Sequence, residues 1–264
     1  MSFLPKYWNQ LSTLDFKNID PSKAVAVWPL AATEQHGPHL PLSVDTDIVE
    51  AVVSESIKHL GANAPVFFLP TQTVGLSTEH TAFSGTLSLN AQTMLQIGAQ
   101  IGACVARSGI RKLLMLNSHG GNVGLMDLIA RDLRGEHNLL VFSTSWYQLP
   151  LGEQAWSEFS AHEQRYGVHA GDIETSIMLH IAPERVRMKE AQDFASASEV
   201  RSRDYEILGD GKSAKLGWHI QDYNKSGAVG RASAATAQKG EKLLNSAGLK
   251  LAQLLNELLV IPPL

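Results

Sequence analysis

The sequence predicts an α/β protein with three layers, in which helices cover both faces of a mostly parallel central sheet. Four short apolar runs without regular polar alternation are typical of strands that are buried on both faces. Helical patterns separate these runs, and this order favours parallel strands joined by crossover helices. The runs occupy residues 24–32, 65–70, 112–116 and 139–145.

Apolar side chains recur every three or four residues between these runs, as in a helix with one buried face. Asn90 and Asn122 precede two of the segments and are predicted to cap their first turns. Pro183 ends the helix that begins near Ala170, because proline cannot continue a helix. The predicted helices span residues 47–60, 90–108, 123–133, 170–181 and 235–258.

The composition indicates a folded chain without a strong charge. The chain has 264 residues, with 22 Lys plus Arg, 26 Asp plus Glu, and a net charge of −4. This balance argues against a nucleic-acid-binding protein and against a polybasic membrane-surface protein. The single cysteine, Cys104, leaves no partner for an intramolecular disulfide and is expected to lie in the core.

The organisation of the chain predicts one domain over residues 1–264, because no linker divides it. Residues 189–225 show weak periodicity and are expected to form a partly irregular excursion over one face. The N-terminal residues do not resemble a secretory signal, and no apolar run reaches the ~18–20 residues that span a bilayer. These features predict a cytoplasmic protein.

Polar clusters directly follow each of the four apolar runs. Because parallel strands present their carboxyl ends at one edge, where ligands bind in open sheets, we expect these clusters to converge on one site. They contain Glu34, His36 and Asp45 after the first run, Glu79 and His80 after the second, His119, Gly120 and Gly121 after the third, and Trp146 and Tyr147 after the fourth.

The residue types in these clusters indicate a metal centre. Glu34 and His36 are two positions apart, so they point the same way in an extended segment. Asp45 lies close behind in the sequence, and His119 comes from another strand of the same sheet. Mixed imidazole and carboxylate ligands suit Zn, Mn or Fe(II), and a shared carboxylate would hold two ions ~3.5–4 Å apart. Glu174 is the candidate for the remaining ligand.

The same residues are also compatible with two other classes of protein. The Gly120-Gly121-Asn122 turn fits either a capped tight turn or an anion-binding loop, so a non-catalytic ligand-binding module is one alternative. The loop lacks the lysine of a phosphate-binding loop, which weighs against that alternative. A two-metal phosphoesterase is the second alternative, because it uses the same ligand types.

Five blocks of the sequence, in order, resemble the creatininase family. They are residues 34–41 (EQHGPHLP) with 45–47 (DTD), 75–80 with 83–89, 117–122 (NSHGGN), 169–176 (HAGDIETS), and 226–230 with 235–237 and 239–240. Together they extend over nearly the whole chain. The resemblance implies an α/β/α fold, a centre of two divalent metal ions, and hydrolysis of a carbon–nitrogen bond in a cyclic or linear amide.

The resemblance also implies individual roles and an assembly. The implied metal ligands are Glu34, His36, Asp45, His119 and Glu174, with Asp45 bridging the two ions. The implied assembly is a ring-shaped homo-oligomer, often a hexamer, that acts on a small-molecule amide. From the charge balance, we expect no nucleic-acid partner and no membrane partner.

One departure from the family pattern concerns the substrate. The branch that hydrolyses creatinine to creatine places an acid shortly after the histidine of the third block, whereas this chain has Gly120, Gly121 and Asn122 there. Glu174 would take the place of that acid. Creatinine is therefore one candidate substrate, and the formamide deformylase and peptidase branches of the family are alternatives.

The remaining polar and aromatic side chains at this edge are predicted to act in catalysis or substrate binding. His169 is predicted to protonate the leaving nitrogen, because a typical histidine pKa of ~6.5 suits that task, and Glu174 is the second predicted catalytic residue. Glu79 and His80 either contact the substrate or orient metal ligands. The full set predicted to contact the substrate is Glu79, His80, Trp146, Gly120 and Gly121.

Overall fold

The structure is a computed structural model that describes residues 4–262, and its centre is a sheet of four parallel strands. The strands are β1 (Val25–Leu30), β2 (Val66–Phe68), β3 (Lys112–Asn117) and β4 (Leu140–Ser145). Their spatial order is β2-β1-β3-β4, with Val27 of β1 opposite Phe68 on one side and Leu114 on the other. The predicted α/β class with a parallel sheet is confirmed.

Helices occupy the segments between the strands and most of the chain after them. They are α1 (Thr13–Asn18), α2 (Val44–Lys58), α3 (Ala91–Arg107), α4 (Val123–His137), α5 (Glu153–Trp156), α6 (Ala161–Tyr166), α7 (Asp172–Ile181), α8 (Ala197–Asp204) and α9 (Ala237–Val260). Two short antiparallel strands, β5 (Asp193–Phe194) and β6 (Gly230–Arg231), form a second sheet.

The two faces of the parallel sheet bury different helices, which gives three layers. Val25 and Val27 point into a core built with α2, α7 and α9. Ala26 and Trp28 alternate to the opposite face, where α3 and α4 cover them. Helix α9 contributes an apolar stripe that includes Leu251 to the first core.

Three sequence-based expectations about local structure need correction. Strand β4 is not buried on both faces, because the surrounding elements leave Phe142 exposed, whereas β2 at the opposite edge of the sheet is buried throughout. Cys104 is exposed rather than in the core, because it lies beside the buried stripe of α3. Asn122 precedes α4, but its side chain does not cap that helix.

The bounds of α2 matter for function. This helix begins at Val44, three residues earlier than predicted, so Asp45 lies in its first turn instead of in the preceding loop. A carboxylate is favoured there, because the amino end of a helix carries a partial positive charge. Asp45 is thereby fixed on a regular element at the sheet edge.

The irregular excursion predicted over residues 189–225 contains β5 and α8, and much of its remainder is exposed. Between residues 4 and 262, no helix combines the length and apolar character needed to cross a membrane. The predicted domain also includes residues 1–3 and 263–264, which lie outside the described residues. The proline pair at 262–263 is expected to end the last helix, and its second member is one of these residues.

Candidate metal centre

Five predicted ligand side chains come together at the carboxyl edge of the parallel sheet. Glu34 and His36 follow β1, Asp45 lies in the first turn of α2, His119 follows β3, and Glu174 lies in the first turn of α7. The first four are at most 3% exposed, and Glu174 is half-buried. Four separate segments therefore supply one cluster, as the convergence argument expects.

The candidate ligand atoms form three groups, one of which joins Glu34, His36 and His169. The other two share Asp45. Glu34, Asp45 and His119 form one group, and His36, Asp45 and Glu174 form the other; within each, the ligand atoms lie within 4.8 Å of one another. Oδ2 of Asp45 is 3.6 Å from Nδ1 of His119, whereas its Oδ1 is 3.8 Å from Nε2 of His36. Each carboxylate oxygen of Asp45 therefore faces a different group.

Buried polar atoms without hydrogen-bond partners indicate whether metal ions fit the cluster. Oε2 of Glu34, Nε2 of His36 and Oδ2 of Asp45 are buried and have no hydrogen-bond partner among the described residues. Leaving such atoms unsatisfied costs about 1–3 kcal/mol each, and more for charged groups. Coordination of a divalent cation satisfies all three, and the nitrogen–oxygen donor set suits Zn, Mn or Fe. The residues therefore fit the metal centre that the sequence predicts.

Electrostatics in the cluster favour cations. Burial opposes protonation of His36 and His119, but the neighbouring carboxylates outweigh it and raise their pKa values to about 9 and about 10. Burial also raises the pKa of Asp45, and it raises that of Glu174 to about 7. In the metal-free cluster, protons balance the carboxylate charge. A divalent ion that binds there displaces these protons, so its affinity rises with pH.

His119 is oriented by a hydrogen bond on the side away from the cluster. Its Nε2 donates to the backbone carbonyl of Leu76 at 2.8 Å. That bond leaves Nδ1 unprotonated when the ring is neutral, and Nδ1 lies 3.2 Å from Oε1 of Glu34. The backbone after β2 thus selects the tautomer that presents a metal-binding nitrogen to the cluster.

His169 lies against the same cluster and is oriented in the same way. Its Nε2 donates to the carbonyl of Gln35 at 2.8 Å, and its Nδ1 lies 4.0 Å from Oε1 of Glu34. Burial, followed by the charges of His36 and His80, holds its pKa well below the usual range. The ordinary histidine pKa on which the sequence-based role rested is therefore not that of the metal-free site. The ring of His169 is neutral, and the free lone pair of Nδ1 faces the cluster.

The five residues predicted to contact the substrate divide into two sets. Trp146 and Gly120 line the cavity that opens onto the cluster. Glu79, His80 and Gly121 are not among its lining residues. Nε2 of His80 lies 3.3 Å from Oε1 of Glu34, and Oε1 of Glu79 lies 3.5 Å from Nε2 of His119. Glu79 and His80 therefore contact ligand side chains, the second of the two roles expected for them.

The cavity itself has a volume of about 580 Å³ and an aromatic wall. Trp146, Tyr147 and Trp156 form this wall, and Ile173 adds apolar surface. No lysine or arginine is among the described residues that line it. A substrate group in this cavity therefore meets aromatic surface and the cluster but no fixed side-chain cation.

Two residues that hold the site together carry little sequence signal. Asn122 donates to the carbonyl of Ala31 and accepts from the amide of Leu76, each at 3.1 Å, so it joins the loops after β1, β2 and β3. Gln35 lies between two predicted ligands, and its amide contacts both His80 and His169. Only their positions next to ligand motifs could have singled them out.

The fold and the cluster define an α/β protein with a buried imidazole–carboxylate centre at the carboxyl edge of a parallel sheet, an arrangement that suits metal-dependent catalysis. A family model described as Creatininase: Creatinine amidohydrolase matches residues 9–255. The chain therefore belongs to the creatininase family.

Individual relatives differ in their named activities. A mycofactocin precursor peptide peptidase of Mycobacterium tuberculosis is 34% identical over 61% of this chain, and the chain spans 60% of the length of that relative. A creatinine amidohydrolase of Pseudomonas putida is 28% identical over 66% of this chain and 70% of the relative.

Solved structures support the fold. A mutant creatininase complexed with creatine is 23% identical and has a TM-score of 0.76, covering 98% of this chain and 100% of that chain. Other solved creatininases are described as a Zn–Zn type and as a Mn form.

Proposed function

We propose that this protein hydrolyses an amide carbon–nitrogen bond at a centre of two divalent metal ions. The observation that carries the proposal is the position of Asp45, whose two carboxylate oxygens face two separate ligand groups. Glu34 and His119 complete one ion site, and His36 and Glu174 complete the other. Relatives described as Zn or Mn forms support the choice of these two metals.

Two ions held there supply Lewis acidity, which activates water and polarises an amide carbonyl. His169 moves the proton: its neutral Nδ1 faces the cluster, takes a proton from the attacking water and delivers it to the leaving nitrogen. The Gln35 carbonyl accepts a hydrogen bond from Nε2 of His169 and so keeps that nitrogen protonated. Nδ1 is therefore the one basic nitrogen of the ring that faces the cluster. Glu174 acts as a ligand beside His169.

The cavity favours a substrate larger than creatinine. Its volume of about 580 Å³ lies within the ~300–1,000 Å³ typical of sites for drug-sized ligands, and a single small ring would leave much of it empty. The aromatic wall suits an apolar group next to the scissile amide. The peptidase relatives support a peptide substrate as the first choice. Creatinine and a formamide remain the second candidates, supported by family membership.

The test combines metal content with turnover. Elemental mass spectrometry on protein purified without chelator should find about two divalent ions per chain. Asp45→Asn should lose both ions, whereas His119→Ala and Glu174→Gln should each retain one. Asp47→Asn is the matched control, because Asp47 lies on the same helix but pairs with Ser43 and Arg185.

Two results would overturn the proposal. One is a wild-type protein that binds neither Zn nor Mn after reconstitution. The other is metal-loaded protein that hydrolyses none of a panel of peptide amides, creatinine and formamides. The proposed homo-oligomer, a hexamer by family resemblance, is tested separately by sedimentation of the same samples.

A further inference from the structure

A buried carboxylate next to the proposed site has no cationic side-chain partner within the part of the chain that the structure describes. Glu163 of α6 is 1% exposed. Its Oε1 accepts a hydrogen bond from the backbone amide of Asp172 at 2.6 Å, and its Oε2 accepts one from the amide of Arg231 at 2.7 Å. One side chain therefore joins α6, the amino end of α7 and strand β6.

Three glycines make room for this carboxylate. A Cβ atom built on Gly167, Gly171 or Gly230 would lie closer than 3.0 Å to an oxygen of Glu163. Real Cβ contacts essentially never approach so closely, so side chains at these three positions would displace the carboxylate. The backbone on all sides is thus fitted to Glu163.

The segment that Glu163 closes carries His169 and leads into the first turn of α7, which carries Glu174. His169 pairs with Val229 through two backbone hydrogen bonds, 2.7 and 3.3 Å long. The next residue, Ala170, has a φ of +53°, a left-handed conformation that strains a non-glycine residue. Its amide donates to Oε2 of Glu174. A strained turn therefore sets the positions of His169 and Glu174 together, and such a turn persists only where its surroundings enforce it.

We propose that Glu163 is a positioning residue for the hydrolytic reaction. By binding the amides of Asp172 and Arg231, its carboxylate clamps the turn at 167–171 between α7 and the strand that begins at Gly230. The clamp keeps Nδ1 of His169 facing the cluster and the carboxylate of Glu174 in the ligand group with His36 and Asp45. This inference rests on the proposed function for its catalytic readout.

The experiment compares Glu163→Gln with wild-type protein in two measurements. Glutamine keeps the size of the side chain but turns an NH₂ group toward one of the two backbone donors. We expect hydrogen exchange at the amides of Asp172 and Arg231 to accelerate at least tenfold. We also expect kcat, and the affinity for the ion held by Glu174, to fall about 10–100-fold, as when groups that orient metal ligands are removed. The ion held by Glu34 and His119 should stay.

Two controls separate positioning from general destabilisation. Glu158→Gln removes a nearby carboxylate that pairs with Lys242 at the surface and should leave both measurements unchanged. Leu133→Ala truncates a buried side chain in the opposite core layer. It provides a protein of reduced thermal stability, comparable with Glu163→Gln, in which the clamp is intact. Glu163→Asp retains the charge with a shorter reach and should recover part of the exchange protection.

Failure of the clamp is distinguishable from failure of the proposed function. Unchanged exchange at Asp172 and Arg231 in folded Glu163→Gln overturns the clamp whatever the enzyme does. Loss of one ion in Leu133→Ala to the same extent as in Glu163→Gln also overturns it. If wild-type protein binds no second ion and hydrolyses no amide, the proposed function fails, and accelerated exchange still supports the clamp alone.

Discussion

The side-chain amide of Gln35 donates a hydrogen bond of 2.7 Å to Nδ1 of His80. The orientation of this amide is fixed, because its oxygen accepts from the amide of Gly37 and its nitrogen also donates to the carbonyl of Gly227. His80 must then carry its proton on Nε2, which points at Oε1 of Glu34, 3.3 Å away. Gln35 thereby sets the tautomer of a histidine that supports a predicted metal ligand.

Replacement of Gln35 by methionine should impair catalysis more than stability. The substitution keeps the volume but removes the donor to His80 and Gly227. We expect kcat/KM to fall about 10–100-fold, and the free energy of unfolding to fall by about 1–3 kcal/mol. Steady-state kinetics and urea unfolding measure the two effects. Gln72→Met is the control, because the side chain of Gln72 donates to the carbonyl of Val74 in the same loop. A folded Gln35→Met protein with wild-type kcat/KM would contradict this role.

Gly121→Ala should disturb the metal centre without any change of a ligand residue. A Cβ at Gly121 would lie closer than 3.0 Å to the carbonyl of Leu76, to Nε2 of His119 and to Oε1 of Glu79. We expect a loss of about 1–3 kcal/mol in stability from overpacking, together with loss of the ion held by His119. Calorimetry and elemental mass spectrometry report both quantities.

The matched substitution three residues later is Gly124→Ala in α4. A Cβ there meets nothing within 4 Å, and alanine is a better helix former than glycine by about 0.5–1 kcal/mol. This variant should keep both ions and gain slightly in stability. Equal metal loss in the two variants would rule out the steric explanation.

The contributions of His39 and His80 to the stability of the metal-free protein should decrease as the pH falls from about 6.5 to about 4. Burial, then the charge of His36, lowers the pKa of His39 to about 4, and burial lowers that of His80 to about 4. Below pH ~6.5 the unfolded chain binds protons on these two histidines that the folded chain does not bind, so their contribution to the free energy of unfolding decreases toward pH 4. Urea titrations of chelator-treated protein across this range measure the slope.

A histidine variant identifies one source of that slope. His39 is stacked on Phe194 and hydrogen-bonded to Thr175. His39→Asn removes its contribution, so the slope of the free energy of unfolding against pH should be less positive between pH 4 and 6.5 than in wild-type protein. His180→Asn, at an exposed position of α7, should leave the slope unchanged. A slope that is identical in wild-type and His39→Asn protein would refute the assignment to His39.

Removal of metal should destabilise wild-type protein through mass action. Each ion at 100 times its dissociation constant adds about 2.7 kcal/mol to the free energy of unfolding. We therefore expect chelator to lower Tm in wild-type protein and added Zn or Mn to restore it. Asp45→Asn should show little response to either treatment. A chelator effect of the same size in Asp45→Asn would mean that the ions bind elsewhere.

Much of the fold follows from local patterns in the sequence. The four apolar runs and the helical segments between them appear as β1 to β4 and α2 to α4, with ends shifted by a few residues. The exceptions have tertiary causes. The apolar run of β4 predicts burial on both faces, but the surrounding elements leave Phe142 exposed, and no local pattern encodes which part of the sheet they cover.

The candidate site was predictable to the extent that its residues stand in short motifs. Glu34, His36 and His119 follow strands whose carboxyl ends must meet, so their convergence follows from topology. Glu163 has no such motif, because its contacts run to backbone amides at residues 172 and 231, 9 and 68 positions away. Backbone partners leave no side-chain pattern in a sequence.

The sequence by itself determined the α/β class, the order of strands and helices along the chain, and the set of side chains that gather at one sheet edge. It could do so because the spacing of apolar residues and the residues that form turns are properties of short segments. Only the tertiary structure decided which oxygen of Asp45 faces which group, which nitrogen of His119 and His169 is free, and which carboxylate closes the turn before α7. These depend on single hydrogen bonds between segments far apart in sequence, so their partners are fixed only when the layers pack.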